Sequence, residues 1–208
     1  MNSYKELMCL LTTLGLLSVL VGANTLDKAR QLRCADNLRQ LKQILDIYEN
    51  EHGALPPVTI PMKPRWKFWT NCLRPYADSA LYFACPADSR NAYMYEEDGS
   101  PLFSYKTQKS ASYGMNWFLN EKEAKRANAA QARLACLSKP EQIVLFADSK
   151  GPYLLPERFW QHEMDLRHQE QANFAFADGH VELLKQEHFG SYDDKGQFRS
   201  DFSKWHWQ

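Results

Sequence analysis

The chain has 208 residues, 25 of them basic and 25 acidic, so it carries no formal net charge at neutral pH. That length holds one globular domain with an element to spare, and the balanced charge, without a dense basic patch, argues against a nucleic-acid partner. Ten Tyr, eleven Phe and six Trp supply ample apolar surface for a core and exclude global disorder.

Residues 7–23, LMCLLTTLGLLSVLVGA, contain no charge. Such a run just suffices to cross the hydrocarbon core of a bilayer, which takes about 20 residues with a lower limit near 17. Two readings stand: a single-pass anchor over residues 1–23, or the apolar centre of an export signal. For the second, Val21-Gly22-Ala23 offers the small residues a signal peptidase accepts, with cleavage before Asn24. Lys28, Arg30 and Arg33 come soon after the run, and a bare count of positive charge puts the C-terminal domain in the cytoplasm.

Residues 24–57 form an amphipathic continuation of the apolar segment, read as a helix over residues 25–51. Cys34, Leu38, Leu41, Leu45 and Tyr48 recur at steps of three and four, with Ile44 widening the stripe. Gly53 ends the helix and Pro56-Pro57 prevents its resumption. Residues 58–208 then form one α+β unit. Residues 58–64 read as a Pro-rich loop, residues 81–88 as a short extended run stopped at Cys85-Pro86, and residues 112–116, SYGMN, as another extended piece. Residues 119–137 are rich in Ala, Glu, Lys and Arg and read as a helix with a solvated charged face. Residues 143–147 form a β-rich apolar run long enough for a buried strand. Further on, Phe174 and Phe176 alternate before Asp178-Gly179, and Val181 and Leu183 alternate after it. Two such runs joined by Asp-Gly predict a β-hairpin, with a type I′ turn that needs positive φ at both central residues.

Five cysteines are an odd number. Cys9 lies inside the apolar run, and the other four, Cys34, Cys72, Cys85 and Cys136, allow three sets of disulfides in an oxidising compartment. No Cys-x-x-Cys pair is present, which argues against a zinc ribbon or a thioredoxin-type site. No nucleophile elbow, phosphate loop or His-Glu-x-x-His occurs either, so no catalytic residue is assigned. His168, Asp178 and His180 could meet across the hairpin around a divalent metal. The plainer reading has Asp178-Gly179 making the turn with His168 packed beside it.

His168, nine residues, then Asp178-Gly179 resembles the H-X9-DG domain at the C-terminal end of many prepilin-like proteins. The stretch from Cys34 to Pro57, the Cys85-Pro86 pair and the Ser-Tyr-Gly-Met-Asn run are similar to further stations of that family in the same order. The resemblance implies a pilin-like fold: a long N-terminal helix, half in the membrane and half packed on an antiparallel sheet. It implies a non-enzymatic, pseudopilin-like subunit of a type II secretion or type IV pilus-like system. Such a subunit is anchored in the inner membrane, with its globular domain outside the cytoplasm and other pilin-like subunits and secretion machinery as partners. Glu6 falls at the register of the family's assembly glutamate, although Lys5 is charged where the family is apolar. The resemblance also favours a Cys34–Cys85 disulfide. By analogy with the calcium held by some pseudopilins, it makes Asp178, Asp193 and Asp194 the oxygen ligands to test. The alternatives are an exported binding protein that never polymerises, soluble or envelope-attached, and a metal-dependent hydrolase centred on His168 and Asp178.

Overall fold

A computed structural model describes residues 2–60, 67–89, 111–120, 122, 125, 132–155, 164–192 and 198–200. Helix α1 spans Asn2–His52, about 75 Å at 1.5 Å per residue. Within its first 23 residues the described side chains reduce to Met8. Glu6, Cys9 and the apolar run therefore lie outside the described side chains. Among the described residues no helix is long and apolar enough to cross a membrane.

From residue 24 the burial of α1 matches its sequence. Residues 24–30 are exposed on every side, and from Gln31 one face goes under the domain. Cys34, Leu38, Leu41 and Leu45 are completely buried and Ile44 nearly so, the stripe that period 3.6 dictates. Gly53 ends the helix at φ 72, its N–H donating to the Glu49 carbonyl, a left-handed position that glycine takes without the steric penalty of a Cβ.

The stripe rests on a five-stranded sheet in the order β5 (Tyr153–Leu154), β3 (Tyr113–Asn116), β4 (Val144–Asp148), β6 (Ala172–Phe176), β7 (Val181–Leu184). Two further ribbons are β1 (Thr59–Ile60) with β2 (Lys67–Phe68), and β8 (Gly190–Tyr192) with β9 (Phe198–Ser200). A short helix, α2, spans Trp69–Leu73. The fold is α+β, but the sheet is mixed where an antiparallel one was expected, because β5 pairs parallel with β3. The return from β4 runs past Gly114, where an added Cβ would stand 2.7 Å from Leu154 Cδ2 and 3.1 Å from the Gly151 carbonyl. Glycine in the Ser-Tyr-Gly-Met-Asn run thus admits the edge strand.

Apolar residues cover both faces of the sheet. One core joins Leu38, Leu41 and Leu45 of α1 to Tyr113, Met115, Leu145, Phe146 and Ala175. The other holds Val144, Ala147, Leu154, Phe174, Phe176 and Phe189. Between Val144 and Phe146 the register against β6 shifts by one residue, a β-bulge. Leu145 and Phe146 consequently join the same core, and the alternation of β4 is inverted from there on. Without the extra residue Asp148 would face away from α1; with it, Asp148 faces Cys34. Re-aiming a side chain is what a bulge does to a strand.

Three local expectations need correction. Residues 81–88 are not extended: Ala80–Phe83 is a 3-10 helix started by the Ser79 hydroxyl, which accepts from the Leu81 N–H. The helix expected over 119–137 is helical at the described Lys122 and Lys125, but it does not run to 137: Leu134–Cys136 is a single 3-10 turn, and residues 121, 123–124 and 126–131 lie outside the described residues. The β6–β7 hairpin forms, but its turn is not type I′. Gly179 alone is at positive φ, 99°, and its N–H closes the turn on the Phe176 carbonyl. The loop is lengthened to three residues because Ala177 is buried and donates its N–H to the Ile143 carbonyl. A two-residue turn with positive φ at both centres does occur, at Gln169 (54°) and Glu170 (61°), where His168 and Gln171 exchange backbone hydrogen bonds.

Candidate metal centre

Four side chains from four separate segments converge between α1 and the sheet: Cys34, Cys85, Asp148 and His168. Their Sγ, carboxylate and ring-nitrogen atoms all lie within 4.8 Å of one another. Each is placed by a local device. Cys34 sits on the buried stripe of α1. Cys85 stands in the turn directly after the Ala80–Phe83 helix, where the Asp88 N–H donates to its carbonyl and the Ala87 N–H to its sulfur. Asp148 ends β4 in the phase set by the bulge, and His168 opens the tight turn at Gln169-Glu170.

The contacts are short and aimed at a shared centre. Cys34 donates to Asp148 Oδ1 at 3.2 Å, Cys85 Sγ lies 3.4 Å from His168 Nε2, and the same nitrogen lies 3.3 Å from Asp148 Oδ2. A hydrolytic Cys-His-Asp relay needs the carboxylate on one ring nitrogen and the thiol on the other, so that the ring can pass a proton between them. Here one nitrogen faces both, which is the arrangement of ligands around an ion. Both sulfurs and the carboxylate belong to residues with no exposed surface, and His168 retains 5 %.

Around the four stands a layer of buried donors. The Asn173 backbone N–H donates to Asp148 Oδ2 at 2.7 Å, and the Tyr113 hydroxyl donates to Cys34 Sγ at 3.4 Å. Gln31 Nε2 donates to Asn173 Oδ1, tying α1 to β6. Arg167 spans this layer: its guanidinium donates to Asp88 Oδ2 and Asp165 Oδ2, both at 2.9 Å, and to the Ser149 carbonyl at 2.8 Å. Its Nε is buried without a hydrogen-bond partner, 4.0 Å from Asp148 Oδ1. A cleft of about 440 Å³, lined in part by Lys28, Gln31, Arg167 and His168, borders the cluster.

This crowding determines the electrostatics. Burial, aided by a hydrogen bond with Cys85, pushes the Cys34 thiol well above its usual range. That hydrogen bond from Cys34 lowers the Cys85 thiol to about 6 in spite of its own burial, and His168 adds to the effect. Burial alone would depress His168, but its hydrogen bonds to Asp148 and Cys85 outweigh this and hold it at about 9. Burial also raises the Tyr113 hydroxyl. Arg167 is desolvated as well, yet Asp148, Asp88 and Asp165 keep its charge more than secure.

The residues singled out in the sequence fare unevenly. Cys34 and Cys85 are brought together as expected, but as thiols and not as a disulfide; among the described residues Cys72 and the exposed Cys136 are in no disulfide either. His168 is not beside Asp178. The two stand at opposite ends of β6, a separation of about 16 Å for five residues at ~3.3 Å each. Asp178 is engaged locally: its Oδ1 accepts from the His180 backbone N–H at 3.1 Å and lies 2.6 Å from His180 Nδ1. Asp193 and Asp194 lie outside the described residues. The converged donor set, with two thiols, is also wrong for calcium, a hard cation that takes six to eight oxygens. Asp148 escaped sequence reasoning altogether. Its one signal was an acidic residue closing an otherwise apolar strand, where a charge is tolerated only with a partner.

No family model matches the chain, and no curated protein or solved structure matches it either.

Proposed function

We propose that the chain is a non-enzymatic, pseudopilin-like structural subunit of a type II secretion or type IV pilus-like system. Residues 7–23 hold it in the inner membrane, and its globular domain lies outside the cytoplasm. The observation that carries this reading is α1. It is one helix, Asn2–His52, clasped by the sheet from Gln31 onward, while residues 24–30 are exposed all round and lead back to the uncharged run. A helix shared between lipid and a sheet is the construction that the His168…Asp178-Gly179 resemblance implies. The absence of a catalytic role is consistent with the geometry around His168, where one ring nitrogen faces both the thiol and the carboxylate and the thiols have no exposed surface.

On this reading the partners are other pilin-like subunits and the membrane machinery that extracts them, and Glu6 is the residue that engages them. The test is the mature N-terminus, read by mass spectrometry after expression in a bacterium and separation of membrane from soluble material. A membrane-bound chain that keeps residues 7–23 is expected, with Glu6→Ala impairing co-assembly while the domain stays folded. A soluble chain beginning at Asn24 would overturn the proposal in favour of an exported, non-polymerising protein.

A further inference from the structure

We propose that Cys34, Cys85, Asp148 and His168 bind one zinc ion as a closed, four-coordinate structural site that fastens α1 to the sheet. The geometry is that of a tetrahedron's edges. With metal–sulfur distances of about 2.3 Å and metal–nitrogen or metal–oxygen distances of about 2.0–2.2 Å, those edges are roughly 3.4–3.8 Å. The observed separations are 3.2 Å between Cys34 and Asp148, 3.3 Å between Asp148 and His168, and 3.4 Å between His168 and Cys85. These three of the six edges lie within a few tenths of an ångström of the required lengths, Cys34 meeting Oδ1 and His168 meeting Oδ2 of Asp148. All four donor groups lie within 4.8 Å of one another, so a small contraction closes the set on one ion.

The donor chemistry selects the ion. Two thiolates exclude calcium and magnesium, which take oxygen ligands. A tetrahedral set of two sulfurs, an imidazole and a carboxylate suits zinc, since copper(I) prefers an all-soft environment. A catalytic zinc keeps one position for water or substrate. Here the protein fills all four positions with buried groups, so the ion's work is mechanical. The surrounding donors fit the bound state: the Tyr113 hydroxyl and the Ala87 N–H both point at sulfur, where they stabilise a thiolate. Binding sends the thiol protons to solvent, and Arg167 stands beside the resulting negative ligand set, its Nε 4.0 Å from Asp148. One ion would then tie together α1, the Cys85 turn, β4 and the His168 turn, four segments with no other covalent or coordinate link among the described residues. The inference does not depend on the pseudopilin reading, because every ligand belongs to the globular part.

The experiment uses the full chain, purified in mild detergent under reducing conditions, stripped with chelator and titrated with zinc against a chromophoric competitor. One zinc per chain is expected, with an apparent Kd in the nanomolar range or tighter, as for other structural zinc sites. Cys34→Ser and Asp148→Asn should each weaken binding at least 100-fold, while Cys136→Ser at the exposed thiol changes nothing. Should the ligand variants fail to fold, cobalt(II) loaded into the wild-type chain decides alone. Intense ligand-field bands with thiolate charge transfer support the site; weak octahedral bands overturn it. Zinc bound weakly or substoichiometrically by the reduced chain, or a Cys34–Cys85 disulfide found by non-reducing peptide mapping of the native protein, also overturns it.

Discussion

Arg167 offers a sharp test of how the polar centre is held. Its guanidinium is almost completely buried and meets Asp88, whose side chain is 1 % exposed, at 2.9 Å. Truncation in Arg167→Ala takes the buried cation from Asp88, which keeps the Ser112 hydroxyl at 2.8 Å, and removes one of the two cations near Asp148, the other being His168. Removing one partner of a buried pair costs about 3–5 kcal/mol, because the remaining charge stays desolvated. The partly exposed Asp165 contributes little to that sum, since solvent screens it. A domain of this size has only about 5–15 kcal/mol to lose, so Arg167→Ala should lose a large part of its unfolding free energy. Asp88→Asn keeps the Ser112 contact and removes a charge, and should cost less. In the double variant the two effects should fall short of additivity by at least ~1.5 kcal/mol, because the residues share one bond. The assay is urea unfolding of the full chain in detergent, at one fixed metal and redox condition, monitored by fluorescence of Trp69, which is fully buried. An Arg167→Ala midpoint within about 1 kcal/mol equivalent of wild type, or strict additivity with Asp88→Asn, would refute the reasoning.

Three further outcomes can be read in the same way. Leu41→Ala empties a fully buried position on the α1 stripe and should cost about 2–5 kcal/mol in urea unfolding; a loss below about 1 kcal/mol would mean that α1 is not docked as described. Gly179→Ala places a Cβ at φ 99° and Glu170→Gly removes one at φ 61°, so the first should destabilise by roughly 1–2 kcal/mol and the second stabilise by somewhat less; equal signs for the two would contradict the turn assignments. In chelator-treated, reduced protein burial would lower His168, but its bonds to Asp148 and Cys85 raise it from 6.5 to about 9. A raised histidine contributes its stability in full below its unfolded value and loses it as pH rises through the folded value. In a Cys85→Ser background, which removes the opposite titration of Cys85 together with its share of the rise, unfolding free energy should therefore still fall between about pH 6 and pH 10, by less than the ~3.4 kcal/mol that the full rise from 6.5 to about 9 represents; a rise in unfolding free energy over that range would exclude the His168–Asp148 pairing.

The helix and the hairpin were legible because their signals are local. Cys34, Leu38, Leu41 and Leu45 repeat at the period of the helix that buries them, and Phe174 and Phe176 alternate at the period of the strand. Turn chemistry was legible in part. Asp-Gly marked the reversal, but the burial of Ala177 decided its length, and the turn with two positive φ angles fell to Gln169-Glu170, which carry no such signal. The centre was hardly legible at all. Its ligands come from four segments far apart in sequence, and grouping His168 with Asp178 by spacing joined residues that β6 holds apart. Cys34 and Cys85 were paired correctly, through the resemblance of their segments, but as partners in a disulfide. Asp148 was invisible because strict alternation from Val144 points it the wrong way, and a bulge, which no residue type announces, turns it back.

That inversion ties the fold to the centre. Along α1 the leucine positions from Leu38 to Leu45 supply area, and area alone tolerates a helix shifted by one turn, since steps of three and four carry one leucine toward the place of the next. The polar contacts at the other end do not tolerate it. Gln31 must meet Asn173, Cys34 must meet Asp148, and Asn37 must reach the Ala84 carbonyl at 2.7 Å. A shift of one turn, about 5.4 Å, breaks all three, and each buried donor taken from its acceptor costs about 1–3 kcal/mol. The apolar half of the interface therefore holds α1 on the sheet, and the polar half sets where along the sheet it stops. An ion on Cys34 makes that stop rigid. Were the chain pulled along its helix, as the proposed function requires, that stop would be the point where the force passes from α1 into β4.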